Sequence, residues 1–290
     1  MALLSLTQSI STLHPIVILV APPRSLSTAL LRMISQTGVF QMINEPSARA
    51  YHAAHYPNEA AFYSESACQS YADVAEYLFD RAKQGPVFVK EMSFAFEAFI
   101  RSQPDIAAYF KIQFVFLLRD PHAAMISYYK KLLPDYREFL MPILVPLTGY
   151  DALYRSYGWL CKQGIQRPYL MHAESLYHAP ESAISALCEY LHIPFQANYL
   201  QWDPLDHRSG RYAWEEYKRH EVTTHWHQDA ILSQGFHQPT VYETDSEGHP
   251  TFSEIRDAVH QTQCQAAYEK NRGYYEKLIK EMVCVDSLLT

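Results

Sequence analysis

Two arginines follow short apolar runs at positions suited to holding anions. The first lies in Pro22-Pro23-Arg24-Ser25-Leu26-Ser27-Thr28, directly after IVILVA (16–21) and before the helical pattern ALLRMISQ. A helix opening near Ser27 and Thr28 presents unpaired amide N–H groups and the positive end of its dipole, both of which favour an anion. The serine and threonine hydroxyls add hydrogen bonds, and the Arg24 guanidinium offers a planar donor pair matched to two phosphate or sulfonate oxygens. The second arginine stands in Arg119-Asp120-Pro121, after FVFLL (114–118). Ser127 follows eight residues later in the helical pattern HAAMISYYKK. An arginine at the carboxyl end of a strand faces the crevice where open α/β sheets bind ligands.

Each feature also has a plainer reading. Arg24 and Ser25 would then only cap a helix, and Arg119 would only pair with Asp120 on the surface. Laid on the pattern GxxxxGK[ST], the first loop begins at Ala21. Ala21 and Leu26 replace both glycines, and Ser27 stands in place of the lysine. This argues against conventional Mg-ATP chemistry.

Positioning such groups requires strands with a common direction. IVILVA (16–21), VFVKEM (87–92) and FVFLLR (114–119) have strand length, and FQMINEP (40–46) and PYLMH (168–172) are shorter candidates. The stretches between them have helical periodicity, which predicts βαβ units and a doubly wound, five-stranded parallel sheet with helices on both faces. Further helices are predicted over 147–164 and 181–191, and one or two surface helices over 252–285. Pro134, Pro142 and Pro146 mark a loop or small cap between 132 and 150. Residues 196–250 are rich in Trp, His, Pro and Tyr without a period and are read as a lid or acceptor region within a single domain spanning 1–290.

Composition narrows the partners. Lys and Arg number 24 against 31 Asp and Glu, a net charge of −7, which excludes broad nucleic-acid binding and requires any anion site to be local. Five scattered cysteines without a CxxC pair fit a reducing compartment. The apolar run at 16–21 is too short to span a bilayer, and the N-terminus lacks the basic segment of a secretory signal, so a cytoplasmic protein is expected. The sequence leaves the oligomeric state open. In HEVTTHWH, His220 and His225 are one residue too far apart for a zinc-binding HExxH helix. These residues and His227, with Trp202, Trp214 and Trp226, are read as lining a lid or acceptor pocket, or else as core, and no metal is expected.

The loop at 22–28 resembles the 5′-phosphosulfate loop of the sulfotransferases that use 3′-phosphoadenosine 5′-phosphosulfate (PAPS). Arg119 and Ser127 resemble that family's 3′-phosphate motif. A third stretch, YLMHAESLYHAPESAISALCEYLHIPF, resembles the family's strand, Glu-x-Leu, proline-opened helix and Leu-x-Ile-Pro, with Glu174 and Pro194 in register. The resemblance covers about residues 16–195. It departs from the family at Leu26, where many members have glycine, and lacks a readable C-terminal cofactor loop. It implies a P-loop NTPase-like fold of sulfotransferase type, PAPS as co-substrate, and cofactor contacts from Arg24, Ser25, Leu26, Ser27, Thr28, Arg119 and Ser127.

The cytosolic members' Lys-Thr-His triplet reads Lys90-Glu91-Met92 here, so Lys90 remains to meet the sulfonate and the histidine base is missing. Other members have a glutamate in a Glu-Pro context after the first helix, which matches Glu45-Pro46. The expectation is sulfuryl transfer to a hydroxyl or amine of a small-molecule or glycan acceptor, with Glu45 as base and Arg24 and Lys90 stabilising charge. Burial, or Glu91 nearby, would raise Glu45 into a useful range. Glu45 could instead cap the next helix or pair with Arg49. The alternative functions are a nucleotide-binding protein of the same fold without transferase activity, or a P-loop kinase or hydrolase.

Overall fold

The computed structural model describes residues 13–55, 68–106, 111–131, 148–164, 167–204, 228–237, 243–247 and 250–286. Five strands, β1 (Ile16–Ala21), β2 (Gln41–Asn44), β3 (Val87–Met92), β4 (Ile112–Leu118) and β5 (Tyr169–His172), form one parallel sheet in the order β2-β3-β1-β4-β5. The fold is thus the doubly wound α/β class predicted, with the strands within a few residues of their expected bounds. All six residues of β1 are buried, as required of a central strand covered on both faces.

One face of the sheet carries α1 (Ser27–Ser35) and α8 (Pro180–Tyr190). Leu30, Leu31, Ile184 and Leu187 pack there on Val17, Leu19 and Ala21. The other face carries α2 (Pro46–His55), α3 (Tyr71–Gln84), α4 (Ser93–Ser102) and α6 (Tyr150–Lys162). There Ala50, Leu78, Phe96 and Leu153 join Ile16, Ile18 and Val20 in one cluster. The alternation of β1 side chains between these clusters is the period of two that a strand imposes. Beyond the sheet, α5 (Pro121–Lys131) packs Met125 and Ile126 on Phe252 and on α9 (Ala258–Asp286), while the short α7 (Ser175–His178) follows β5.

Local chemistry sets where the helices begin. Proline opens α2, α5 and α8, where its missing N–H costs nothing and its fixed φ suits the first helical residue. Ser70 and Asp73 form a capping box at α3, in which the Ser70 N–H donates to Asp73 at 2.7 Å and the Asp73 N–H to the serine hydroxyl at 3.2 Å. The chain leaves β1 towards β2 on one side, and after β3 it crosses to β4 on the other. The reversal puts a crevice at the carboxyl ends of β1 and its neighbours.

The stretch 252–285 forms one surface helix from Ala258, α9, which buries Cys264, Ala267, Asn271 and Leu278 on its inner face, and the Asn271 amide donates to Thr148 at 2.8 Å. Its charged residues cover only the outer face. Of the two readings of Trp202, pocket lining or core, the second holds. The tryptophan lies 6% exposed in the core cluster on the α1 face, edge-on to Phe236 at 5.2 Å and beneath the Arg32 guanidinium at 5.5 Å. Pro134, Pro142, Pro146, Trp214, His220, His225, Trp226 and His227 lie outside the described residues. Among the described residues no helix is long and apolar enough to cross a membrane.

Candidate active site

The loop after β1 turns sharply. Arg24 and Leu26 have φ of 64° and 63°, in the left-handed region, and the buried Ser25 hydroxyl between them donates to the Pro22 carbonyl at 2.5 Å. Leu26 then stands as the N-cap of α1. A glycine would adopt this conformation freely, whereas a leucine carries it at about 1–2 kcal/mol. Leucine at this position therefore changes the cost of the path rather than the path. With α1 opening at Ser27, the amides of its first turn border the loop that carries Arg24.

The tip of β4 meets this loop. Arg119 is 3% exposed and its Nη1 donates to the backbone carbonyl of Arg24, while Tyr150 donates its hydroxyl to the carbonyl of Arg119 at 2.8 Å. The Nε of Arg119 is buried and makes no hydrogen bond among the described residues. Arg24 Nε in turn donates to Ser127 Oγ at 3.0 Å. The residues expected at two phosphate groups therefore form one connected cluster across the tips of β1 and β4. Behind it, Asp120 donates its N–H to Glu174 at 3.2 Å, and Glu174 pairs with His172 at 3.0 Å, tying in the tip of β5.

Sequence reasoning missed two charged members of this cluster. Asp229 accepts from Arg24 Nη2 at 3.1 Å and from Lys131 Nζ at 2.9 Å. Burial alone would raise the Asp229 carboxyl, but the Lys131 hydrogen bond and charge, with those of Arg24, hold it below the usual carboxylate range. Lys131 had a readable signal, since it follows Ser127 by four residues and so shares its helix face. Asp229 had none, because it arrives from a stretch without periodicity. The segment that carries it is fixed by Arg32 of α1, whose Nη1 binds the carbonyls of Ile231 and Ser233 at 2.9 Å each and that of Ala230, and whose Nη2 binds the carbonyl of Asp203.

The tips of β2 and β3 form a second polar cluster. Lys90 is 1% exposed and its ammonium pairs with the carboxylate of Glu45. Glu45 has φ 55°, and its N–H donates to the Lys90 carbonyl at 2.7 Å. Glu91, next along the strand, points to the opposite face, where Oε1 accepts the Ser47 N–H of α2 at 2.9 Å. Burial pushes the Glu91 carboxyl up to about 8, the hydrogen bond from the Ser47 N–H opposes this, and Glu45 adds to it. Glu91 is thus the carboxyl that burial raises, and Glu45 pairs with the Lys90 ammonium. Glu91 Oε2, Ser47 Oγ and Ser93 Oγ are buried without hydrogen-bond partners among the described residues. Burial also pushes the His52 ring of α2 below its ordinary value, against the pull of Glu45.

No family model matches the chain. It is 25% identical over 225 residues to branched-chain-amino-acid aminotransferase-like protein 2 of Arabidopsis thaliana and 24% identical over 225 residues to the like protein 1 of that plant. Each alignment covers 76% of this chain but 36% of the relative, so the chain spans about a third of the length of the curated relatives it matches. Among solved structures, it is similar to the sulfotransferase domain from the curacin biosynthetic pathway, with a TM-score of 0.43 and 15% identity over 89% of this chain and 97% of that one. It is similar to the sulfotransferase domain of the Synechococcus PCC 7002 olefin synthase, with a TM-score of 0.42 and 14% identity over 89% and 94%. It is also similar to a sulfotransferase from Alicyclobacillus acidocaldarius, with a TM-score of 0.44 and 18% identity over 62% and 82%.

Proposed function

We propose that the chain is a sulfotransferase that uses PAPS as donor and a small-molecule or glycan hydroxyl or amine as acceptor. The observation that carries this reading is the junction of the two arginine motifs, in which Arg119 reaches the Arg24 carbonyl and Arg24 reaches Ser127. Had the two guanidinium groups faced away from each other, one nucleotide could not have engaged both motifs. A bound phosphate oxygen would also satisfy the buried Nε of Arg119, a donor without a hydrogen bond among the described residues.

PAPS supplies an activated sulfuryl group and leaves as a bisphosphate. In this reading Arg119 and Ser127 hold the 3′-phosphate, while Arg24, with the backbone of Ser25–Thr28, holds the 5′ end. Glu45 accepts the proton of the acceptor hydroxyl or amine. To do so its carboxylate exchanges the Lys90 ammonium for the acceptor, and Lys90 turns to the sulfonate oxygens on the neighbouring strand tip. The ion pair thus keeps base and cation together until both are needed, and preorganised charge of this kind is a major source of rate.

The same ion pair favours a second reading, a nucleotide-binding protein without transfer activity, because Glu45 is engaged in the state described. One experiment separates the readings. Melting temperature is measured with 3′,5′-bisphosphoadenosine, PAPS and Mg-ATP, followed by transfer of labelled sulfate from PAPS to a panel of hydroxyl and amine acceptors. Stabilisation by the 3′-phosphorylated nucleotides together with label transfer is expected. Stabilisation without transfer would favour the second reading, and stabilisation by Mg-ATP alone would overturn both.

A further inference from the structure

Lys131 closes α5, one turn beyond Ser127, and its side chain is 17% exposed. The carboxylate of Asp229 bridges it to Arg24, one oxygen to each cation, at 2.9 Å and 3.1 Å. An acceptor-only group with two oxygens, shared between an ammonium and a guanidinium, makes the same demand as an oxygen pair of a phosphate monoester. Arg24 is meanwhile tied through Nε to Ser127. The carboxylate therefore lies among the groups that a phosphate would contact.

Its placement is built into the fold. An acidic side chain on an exposed loop would be worth little there, since holding it in one geometry costs entropy and water screens its charge. Asp229 is 63% exposed, but its backbone belongs to a segment fastened by the buried Arg32 through the carbonyls of Ala230, Ile231 and Ser233. Arg32 belongs to α1, the helix that opens at the Arg24 loop. The acid and Arg24 are thus mounted on one frame, and Lys131 reaches them from α5.

We propose that Lys131 is a third cation of the anion site, and that Asp229 sets its selectivity by standing in for an anion until a phosphate monoester dianion displaces it. A monoanion that replaces the carboxylate gains no charge, whereas a monoester with its second proton lost brings about −2 and gains one. The site therefore rejects chloride and carboxylates and accepts a phosphate monoester; in PAPS only the 3′-phosphate is one, so Arg24 meets it from its Ser127 side as well as holding the 5′ end. Binding should weaken below about pH 6 as the monoester takes up its second proton. The proposal rests on the anion site of the preceding section, specifically on its phosphate end.

The test is calorimetric titration of wild type, Asp229→Asn, Lys131→Met and the double variant at fixed ionic strength. The probes are 3′,5′-bisphosphoadenosine and inorganic pyrophosphate, and melting temperature verifies that each variant is folded. Asp229→Asn is expected to bind both probes about three- to tenfold more tightly and to become sensitive to competing chloride. Lys131→Met is expected to weaken both about tenfold and to remove most of the gain in the double variant. Unchanged or weaker binding by Asp229→Asn would overturn the proposal and make Asp229 a support for Arg24. Unchanged binding by Lys131→Met would overturn it equally. If pyrophosphate follows the expected pattern and the nucleotide binds no variant, the nucleotide reading falls and this proposal stands. If the nucleotide binds wild type and Asp229→Asn alike, the proposal falls and the reading stands. If neither probe binds any variant, there is no anion site and the proposal falls.

Discussion

Two strand-to-helix turns in this molecule share an acid followed by proline: Asp120-Pro121 after β4 and Glu45-Pro46 after β2. In the first, the acid serves the helix it precedes, since Asp120 Oδ1 accepts the Ala123 N–H at 3.0 Å as an ordinary N-cap. In the second the carboxylate meets a cation from the next strand. Glu45 takes a left-handed φ of 55° and gives its carboxylate to Lys90, while the amide it might have capped, that of Ser47, goes to Glu91 on the neighbouring strand. A left-handed non-glycine residue costs about 1–3 kcal/mol and persists only where its surroundings impose it. Identical sequence logic thus gives a structural acid at one turn and, in the proposed mechanism, a chemical one at the other. What separates them is a cation on the adjacent strand.

The strongest way to break this comparison is Glu45→Gln. The amide retains an oxygen for Lys90, so the fold should persist, but it cannot accept a proton. Turnover with PAPS saturating should fall about 10²–10⁴-fold, while calorimetry should show little change in bisphosphate affinity. An unchanged turnover number would remove Glu45 from the chemistry and make the two turns alike. Next in size is Arg119→Ala beside the other turn. It deletes the bond to the Arg24 carbonyl and the buried Nε donor, so bisphosphate binding should weaken about 10²–10³-fold. Titration of folded variant protein reads this directly, and an affinity within threefold of wild type would show that no phosphate meets Arg119.

Glu91 sharpens the comparison through pH. Its carboxyl is raised to about 8 in the folded protein from an ordinary value of 4.5. Between these two pH values the unfolded chain has lost the proton and the folded chain has kept it. Stability therefore falls as pH rises through that window, by up to about 1.4 kcal/mol per unit, and levels off above it. Glu91→Gln should flatten this slope. Urea unfolding of both proteins at pH 6 and pH 8 measures it, and parallel slopes would mean that Glu91 is already ionised when folded.

The β1 and β4 side of the site was legible because each motif is contiguous: a strand, an arginine at its end and a hydroxyl on the following helix. Hydrophobic runs placed the strands with Arg24 and Arg119 beyond their ends, and Ser127 on the following helix stood out by its resemblance to the sulfotransferase 3′-phosphate motif. At β2 and β3, Glu45 was legible from its Glu-Pro context, but its partner was not. Lys90 and Glu91 point to opposite faces of one strand, so which of them meets Glu45 depends on strand order, which no local pattern encodes. Asp229 was the hardest to foresee. Its position depends on Arg32, a charged residue on a helix face otherwise filled by Leu30, Leu31 and Ile34, which binds the carbonyls of a segment about 200 positions further along. Burying a guanidinium is costly unless its donors are satisfied, and here backbone carbonyls take the two Nη groups. Trp202 was ambiguous in the sequence, pocket wall or core, for the same reason: it is the packing partner of Arg32.

The smallest predicted effect tests the structural half of the comparison. Asp120→Ala removes an N-cap acceptor and leaves the Ala123 amide to water, at a cost of about 1 kcal/mol. For a chain of this size that should lower the melting temperature by about 2–4 °C. The Asp120 backbone N–H, which binds Glu174, is untouched by the substitution, and Arg119 keeps its bond from Tyr150. Turnover and nucleotide affinity should therefore stay within about twofold, since the lost interaction faces the helix rather than the crevice. A loss of turnover comparable to that of Glu45→Gln, with the melting temperature unchanged, would put the Asp120 carboxylate in the reaction. The distinction between the two turns would then have to rest on something other than the partner each carboxylate meets.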